Sequence, residues 1–176
     1  MSGSGPTKKE FPTIFITVGT TKFEQLIETI DTDAFFHTLI FLKCSRLIIQ
    51  KGNSEYQPTH LLARRSPGFS VEVYQFKSSL LEDIQSSDLV ISHSGAGTII
   101  EVLGFHKPLV VVINETLLHN HQSELATALK KDGHLISATC SSLIDELRLL
   151  PSTTFHELPP SNPHAFEKYL DQIIGD

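Results

Sequence analysis

Short aliphatic runs alternate with amphipathic stretches along this chain, and this alternation limits what it can fold into. Residues 108–113 are almost continuously aliphatic, as expected of a strand buried on both faces. Such strands occur in parallel sheets that are covered by helices and wound right-handed. The sequence therefore predicts an α/β fold: a Rossmann-like parallel sheet sandwiched between helices.

The pattern of side chains assigns both kinds of element along most of the chain. Strands are predicted at residues 13–18, 47–50, 71–76, 88–92, 108–113 and 135–138. Helices are predicted at residues 23–30, 33–43, 80–85, from a glycine-rich turn to about 105, 121–131 and 141–150.

Composition excludes several classes of protein. With 14 Lys and Arg against 20 Asp and Glu, the net charge of −6 argues against a protein that binds nucleic acid by neutralising phosphates. Cys44 and Cys140 are too few for a disulfide framework or a zinc ribbon, which indicates a reducing compartment. No apolar run approaches the length of a membrane span, so the predicted localisation is cytoplasmic.

Three regions are predicted along the 176 residues. Residues 1–10 are a flexible, linker-like leader, and residues 11–150 form the Rossmann-like domain. Residues 151–176 comprise an irregular Pro-rich strap and a C-terminal helix. That helix has apolar residues at helical spacing: Phe166, Tyr169, Leu170, Ile173 and Ile174. Its apolar face could cover the domain's own core or bind a partner.

The loop after the first strand, Gly19-Thr20-Thr21-Lys22, contains small and polar residues. Ligands in open α/β sheets bind beyond the carboxyl ends of the strands. Glycine allows the backbone to approach a ligand, and free N–H groups at the following helix favour an anion such as a diphosphate. This loop is therefore a candidate anion site.

The glycine-rich loop after the fourth predicted strand is more informative. It contains His93, Ser94, Gly95, Ala96, Gly97 and Thr98. The loop is not a dinucleotide fingerprint because Ile100 stands at the third glycine position, and it matches neither a P-loop nor a nucleophile elbow. Glu101, expected in the first turn of the next helix, could accept two hydrogen bonds from ribose hydroxyls or could stabilise the helix N-terminus.

Two further groups of residues could suggest a metal site. His119 and His121 follow the fifth strand without a third ligand at suitable spacing, and Asn120 is a plausible helix cap there. Asp31 and Asp33 resemble a Mg²⁺-binding acidic pair, but Asp33 is more simply an N-cap. No metal site is predicted.

Together these motifs resemble a family of glycosyltransferases. The similarity rests on FITVGTTxF at 15–23, where x is any residue, DLVISHSGAGT at 88–98, Glu101, KPL at 107–109 and NHQ at 120–122. In these motifs the chain resembles the cytosolic catalytic subunits of an endoplasmic reticulum transferase. That enzyme adds the second N-acetylglucosamine (GlcNAc) to dolichol-diphosphate-GlcNAc. A looser similarity is with the C-terminal half of the bacterial enzyme that glycosylates lipid-linked muramyl-pentapeptide.

The resemblance implies that residues 11–150 are the C-terminal, donor-binding half of a GT-B glycosyltransferase, with UDP-GlcNAc in a cleft between two halves. It implies that Gly19, Thr20 and Thr21 approach the diphosphate, that residues 93–98 cradle the nucleotide-sugar, and that Glu101 holds the ribose. It also implies that Asn120, His121 and Gln122 bind the GlcNAc hydroxyls. The bacterial enzymes continue with a second glutamine where this chain has Ser123.

The implied reaction is an inverting transfer from UDP-GlcNAc that requires neither a metal nor a cofactor. No general base is identified, although His93 and His119 could contribute. The implied partner is a membrane-anchored, acceptor-binding subunit on the cytosolic face of the endoplasmic reticulum, contacted partly by the apolar residues 166–174. A non-catalytic nucleotide-sugar-binding module remains an alternative, and a nucleotide hydrolase is disfavoured because no nucleophile–base pair is evident.

Overall fold

A computed structural model describes residues 8–64, 66–116 and 121–158, with the helical backbone alone at 121–123. The strands are β1 (Thr13–Thr17), β2 (Arg46–Gln50), β3 (Ser70–Tyr74), β4 (Leu89–His93), β5 (Leu109–Ile113) and β6 (Ile136–Thr139). The helices are α1 (Glu24–Ile30), α2 (Asp33–Phe41), α3 (Thr59–Ala63), α4 (Leu81–Ser86), α5 (Ala96–Gly104), α6 (His121–Lys131) and α7 (Leu143–Leu149).

The strands form one parallel sheet in the order β3-β2-β1-β4-β5-β6, which confirms the predicted Rossmann-like fold. Successive side chains of β1 point to opposite faces of this sheet. Ile14 and Ile16 join the core beneath α1, α2 and α7, whereas Phe15 joins the core beneath α5 and α6. Both faces are therefore covered by helices, as the aliphatic strands require.

Each predicted strand and helix has bounds within two residues of those observed among the described residues. The helix that the sequence did not predict is α3, which follows Pro58 and has five residues. So short a segment contains little more than one turn, and periodicity cannot distinguish it from a loop.

The cap predicted for α2 was wrong. Its N-cap is Thr32, whose side-chain Oγ1 accepts a hydrogen bond from the Phe35 N–H at 3.3 Å. Asp33 is instead the first helical residue, and its exposed carboxylate pairs with Arg64. Threonine competes well for the cap position because its hydroxyl reaches the free amides of the first turn.

Asp31, the other member of the acidic pair, is a buried structural residue. Its carboxylate accepts hydrogen bonds from the Tyr56 hydroxyl at 3.0 Å and from the backbone N–H groups of Leu61 at 2.7 Å and His60 at 3.2 Å. It thereby joins the end of α1 to the start of α3.

Replacing Asp31 with alanine is expected to lower the free energy of unfolding by about 2–4 kcal/mol, because three donors lose their acceptor. The matched control is Asp33→Ala, whose side chain is 70% exposed. We expect it to change stability by less than about 1 kcal/mol. Urea denaturation of both variants measures the difference, and equal losses would contradict the structural role of Asp31.

The described part of the strap lies against the domain. Leu150–Ser152 forms a short 3₁₀ turn containing Pro151, so the expectation of wholly irregular structure after residue 150 was wrong there. The backbone N–H of His156 donates to the Gly133 carbonyl at 2.9 Å, and Leu158 is buried. The leader residues 1–7 and the helix predicted from residue 164 lie outside the described residues.

No helix among the described residues combines the length and apolar character that crossing a membrane would require.

Candidate functional site

An open cleft of about 480 Å³ lies where β1 and β4 run side by side. The chain leaves β1 towards β2 and leaves β4 towards β5, so the loops at their carboxyl ends diverge. The cleft is lined by Gly19, Thr20, Gln50, Lys77, Ser78, Ser79, Leu80, His93, Gly95, Gly97, Thr98 and Glu101.

The cleft brings together many of the residues that the sequence predicted for a site: Gly19, Thr20, His93, Gly95, Gly97, Thr98 and Glu101. Three predicted residues lie in the same loops without lining it: Thr21, Ser94 and Ala96. His121 and Gln122 open α6, whose side chains at 121–123 lie outside the described residues, as does Asn120.

A buried chain of hydrogen bonds supports the first loop. The N–H of Gly19, at φ +61°, donates to Thr17 Oγ1 at 2.9 Å, and Thr17 Oγ1 donates in turn to Gln50 Oε1. The Thr21 hydroxyl donates to the Val18 carbonyl at 2.7 Å. The Gly19 amide and the Thr21 hydroxyl are already hydrogen-bonded within the protein. Thr20, which lines the cleft, is therefore the residue of this loop that is available to contact an anion.

The β2–α3 loop fixes the backbone of the first loop. Asn53 Nδ2 donates to the Thr20 carbonyl at 2.8 Å, and the Asn53 backbone N–H donates to the Thr21 carbonyl at 2.9 Å. These two bonds hold Thr20 at the edge of the cleft.

His93 ends β4, and its imidazole lies between two glycines. A Cβ atom added at Gly19 would lie 2.7 Å from His93 Cε1, and one added at Gly95 would overlap the ring. The side chain is buried, and its Nδ1 has no hydrogen-bond partner among the described residues. Burial disfavours the charged ring and so lowers the pKa of His93. The Thr17 backbone acts to raise this pKa, but its effect is smaller. The ring is therefore neutral near pH 7, with one nitrogen as donor and the other as acceptor.

Because the pKa of His93 is lowered in the folded state, the stability of the fold decreases as the pH falls. Unfolded histidine takes up its proton near pH 6.5, whereas folded His93 does so at a lower pH. Between these values the unfolded chain binds more protons, so the contribution of His93 to stability is full above pH 6.5 and falls as the pH decreases through that window.

We therefore expect the wild-type chain to lose more unfolding free energy than His93→Gln between about pH 7 and about pH 5. Chemical denaturation at the two pH values measures this, and other titrating groups cancel in the comparison. Equal losses in the two proteins would contradict a depressed His93 pKa.

The N-terminus of α5 provides the second wall of the cleft. Gly95 is its N-cap without a side-chain capping bond, and the helix begins at Ala96. Amide N–H groups in a first helical turn have no intrahelical acceptor, and the helix dipole adds positive potential there. Gly97 and Thr98 of this turn line the cleft, so this wall suits a phosphate-like anion.

Glu101 lies in the second turn of α5, two residues beyond the first turn in which the sequence pattern had placed it. It lies three and four residues after Thr98 and Gly97 on the same side of the helix, and all three line the cleft. Stabilisation of a helix N-terminus by an acidic residue falls off within the first turn. The position of Glu101 therefore favours an acceptor of ligand hydroxyls over a helix-stabilising residue.

A third wall of the cleft was missed by sequence reasoning. Gln50 ends β2, and the loop Lys77-Ser78-Ser79-Leu80 follows β3; both lie on the same edge of the sheet as the first loop. A glutamine closing an aliphatic strand and two serines in the next strand's loop were the available signals. Without the strand order, nothing placed them beside Gly19.

The cleft can thus bind an anion through amide dipoles and hydroxyls through a carboxylate. Among the described residues, no three His, Cys, Asp or Glu side chains form a cluster that could hold a metal ion. His119 lies outside the described residues.

Comparison with known proteins adds independent findings. The glycosyltransferase family 28 C-terminal domain matches residues 13–158. Human UDP-N-acetylglucosamine transferase subunit ALG13 is 47% identical over 130 residues, which are 74% of this chain and 11% of the human protein. This chain therefore spans only about a tenth of that relative's length.

Two solved structures share the fold. A solution NMR structure of ALG13 matches with a TM-score of 0.69 at 26% identity, covering 95% of this chain and 98% of that one. The crystal structure of MurG from Acinetobacter baumannii matches with a TM-score of 0.63 at 22% identity, covering 80% of this chain and 40% of MurG. The latter likeness shows that the fold of this chain corresponds to 40% of that longer protein.

Proposed function

Because this chain belongs to the family of glycosyltransferase family 28 C-terminal domains, we propose that it binds UDP-GlcNAc as the catalytic subunit of a transferase. The acceptor is dolichol-diphosphate-GlcNAc, to which the enzyme adds the second GlcNAc. The observation that carries the proposal is the cleft between β1 and β4, where the α5 N-terminus and Glu101 converge. The relative's name, UDP-N-acetylglucosamine transferase subunit, supports the choice of donor.

The cleft accommodates the parts of the donor in order. The diphosphate lies against the first turn of α5 and Thr20, where amide groups and a hydroxyl can donate hydrogen bonds. The neutral His93 ring can donate one more without adding charge. Glu101 accepts hydrogen bonds from the paired ribose hydroxyls. The GlcNAc moiety extends towards the start of α6, and the family resemblance assigns its hydroxyls to Asn120, His121 and Gln122.

The reaction is an inverting displacement. The 4-hydroxyl oxygen of the acceptor GlcNAc bonds to the anomeric carbon of the donor as the bond from that carbon to UDP breaks. The hydroxyl proton passes to a general base, and UDP leaves with the electron pair of the broken bond. The N–H groups at the start of α5 stabilise the negative charge that develops on UDP.

His93 is assigned to the leaving group rather than to the base. Its Nδ1 is shielded from solvent, and the ring is enclosed by Gly19 and Gly95. A general base must come within hydrogen-bond reach of the acceptor hydroxyl. We infer that the second half of the enzyme, a membrane-anchored acceptor-binding subunit, provides the base and recruits this chain to the endoplasmic reticulum membrane. The word "subunit" in the relative's name supports such a complex.

The decisive experiment combines binding with transfer. We expect titration of isotopically labelled chain with UDP-GlcNAc to shift the amide signals of Thr20, Gly97 and Thr98, with UDP preferred over ADP. Transfer to lipid-linked GlcNAc should occur only after the membrane partner is added. Donor binding without transfer in the complete complex would favour the non-catalytic nucleotide-sugar-binding module instead.

The partner contact is tested by truncation. Removing the residues after Pro163, which include Phe166, Tyr169, Leu170, Ile173 and Ile174, is expected to abolish co-purification with the membrane subunit while donor-induced shifts persist. A truncated chain that still co-purifies would refute the assignment of this segment to the partner.

A further inference from the structure

The residues that follow β3 form a wall of the cleft, and one buried carboxylate holds their ends together. We propose that Asp83 is a positioning residue of the donor site, acting through Lys77 and Tyr74 to hold residues 77–80 against the cleft. The inference rests on the proposed function, because it assigns Asp83 to the binding of the same donor.

The geometry centres on the Asp83 carboxylate, whose side chain is 4% exposed. It accepts a hydrogen bond from the Tyr74 hydroxyl at 2.5 Å and two from Lys77 Nζ, each at 3.0 Å. Tyr74 is the last residue of β3, Lys77 begins the wall, and Asp83 lies in α4 just after it. One side chain therefore joins the strand before the wall, the wall itself and the helix after it.

Stability alone does not account for this arrangement. The ion pair between the buried Asp83 carboxylate and the exposed Lys77 contributes little net stability, because desolvation of the carboxylate and screening of the lysine by solvent offset most of the attraction. The three directed hydrogen bonds to Asp83 instead fix the segment between β3 and α4 in a single conformation. Without these hydrogen bonds the segment would be an exposed loop with little to fix it, since Lys77, Ser78 and Ser79 are all exposed.

The same bonds compensate the lysine's charge. Lys77 Nζ is also 3.2 Å from Glu72 and 4.2 Å from the centre of the Tyr74 ring. Burial acts to lower the pKa of Lys77, but the hydrogen bonds to Asp83 and Glu72 outweigh it and raise the pKa. The ammonium group therefore stays charged and engaged at neutral pH. Attraction of the diphosphate is left to the α5 N-terminus, and the 77–80 wall contributes position rather than charge.

The test separates the wall from the anion site by comparing two ligands. In Asp83→Asn, we expect the Kd for UDP-GlcNAc to rise about tenfold, because the wall loses its fixed position. The Kd for inorganic pyrophosphate, which needs only the α5 N-terminus and Thr20, should stay within about twofold of wild type. Amide shifts of the isolated labelled chain measure both constants. Glu72→Gln is the matched control, since it removes the exposed partner of the same lysine and should change neither constant.

If Asp83 had a purely structural role, Asp83→Asn would weaken the binding of UDP-GlcNAc and of pyrophosphate to a similar extent. That outcome would overturn the inference. UDP-GlcNAc binding within about twofold of wild type in folded Asp83→Asn would also overturn it. If that variant does not fold, Tyr74→Phe and Lys77→Met each remove one side of the contact and must show the same selective loss. Failure of the wild-type chain to bind UDP-GlcNAc would overturn the proposed function and this inference with it.

Discussion

Glu101→Ala should weaken the binding of UDP by about 100-fold, because the variant removes an acceptor for two hydroxyl groups. Each hydrogen bond to a charged group contributes about 1.5–3 kcal/mol, and partial replacement by water reduces the sum. Isothermal titration calorimetry on the isolated chain measures the loss. Glu28→Ala, an exposed acidic residue on α1 that does not line the cleft, is the control and should leave the affinity unchanged.

A second ligand makes the assignment specific to the ribose. Wild-type protein should bind 2′-deoxy-UDP more weakly than UDP, whereas Glu101→Ala should bind the two alike. Such a cycle isolates the contact between one carboxylate and one hydroxyl. If Glu101→Ala kept wild-type affinity, or kept the preference for UDP, the carboxylate would have no role at the ribose.

Most of the fold could be predicted because local patterns and global architecture agree. Residues 109–113 are aliphatic without interruption, and β5 is indeed flanked by β4 and β6 with helices on both faces. The exceptions were local. Helix α3 is too short to show a period, and the choice between Thr32 and Asp33 as a cap depends on one backbone conformation. Both residue types are good caps, so sequence alone does not separate them.

The candidate site was predictable where close packing of its loops demands glycine. Gly19 and Gly95 both leave room for the His93 ring, and such glycines at strand ends are visible in the sequence. The 77–80 wall was missed because its place beside the cleft depends on the strand order β3-β2-β1. The role of Asp83 depends on a contact between residues nine apart, which no helical or strand periodicity indicates.

Gly52 lies in the β2–α3 loop, next to the backbone of the first loop of the cleft. Its φ is +55°, and an added Cβ atom would lie 2.6 Å from the Thr21 carbonyl oxygen and 2.7 Å from that of Gly19. Gly52→Ala is expected to lower the free energy of unfolding by about 3 kcal/mol, from left-handed backbone strain together with steric overlap. Because the overlapped atoms belong to the first loop, UDP-GlcNAc affinity should fall as well.

Gly68→Ala separates the two contributions. Gly68 also has a positive φ, +78°, but an added Cβ atom would meet nothing within 4 Å. Only backbone strain remains, so the expected loss is about 1 kcal/mol with unchanged donor affinity. Denaturant titration of the two variants gives the steric contribution as their difference. Equal destabilisation would mean that the loops can separate without penalty, and the first loop would then not be held rigidly for the diphosphate.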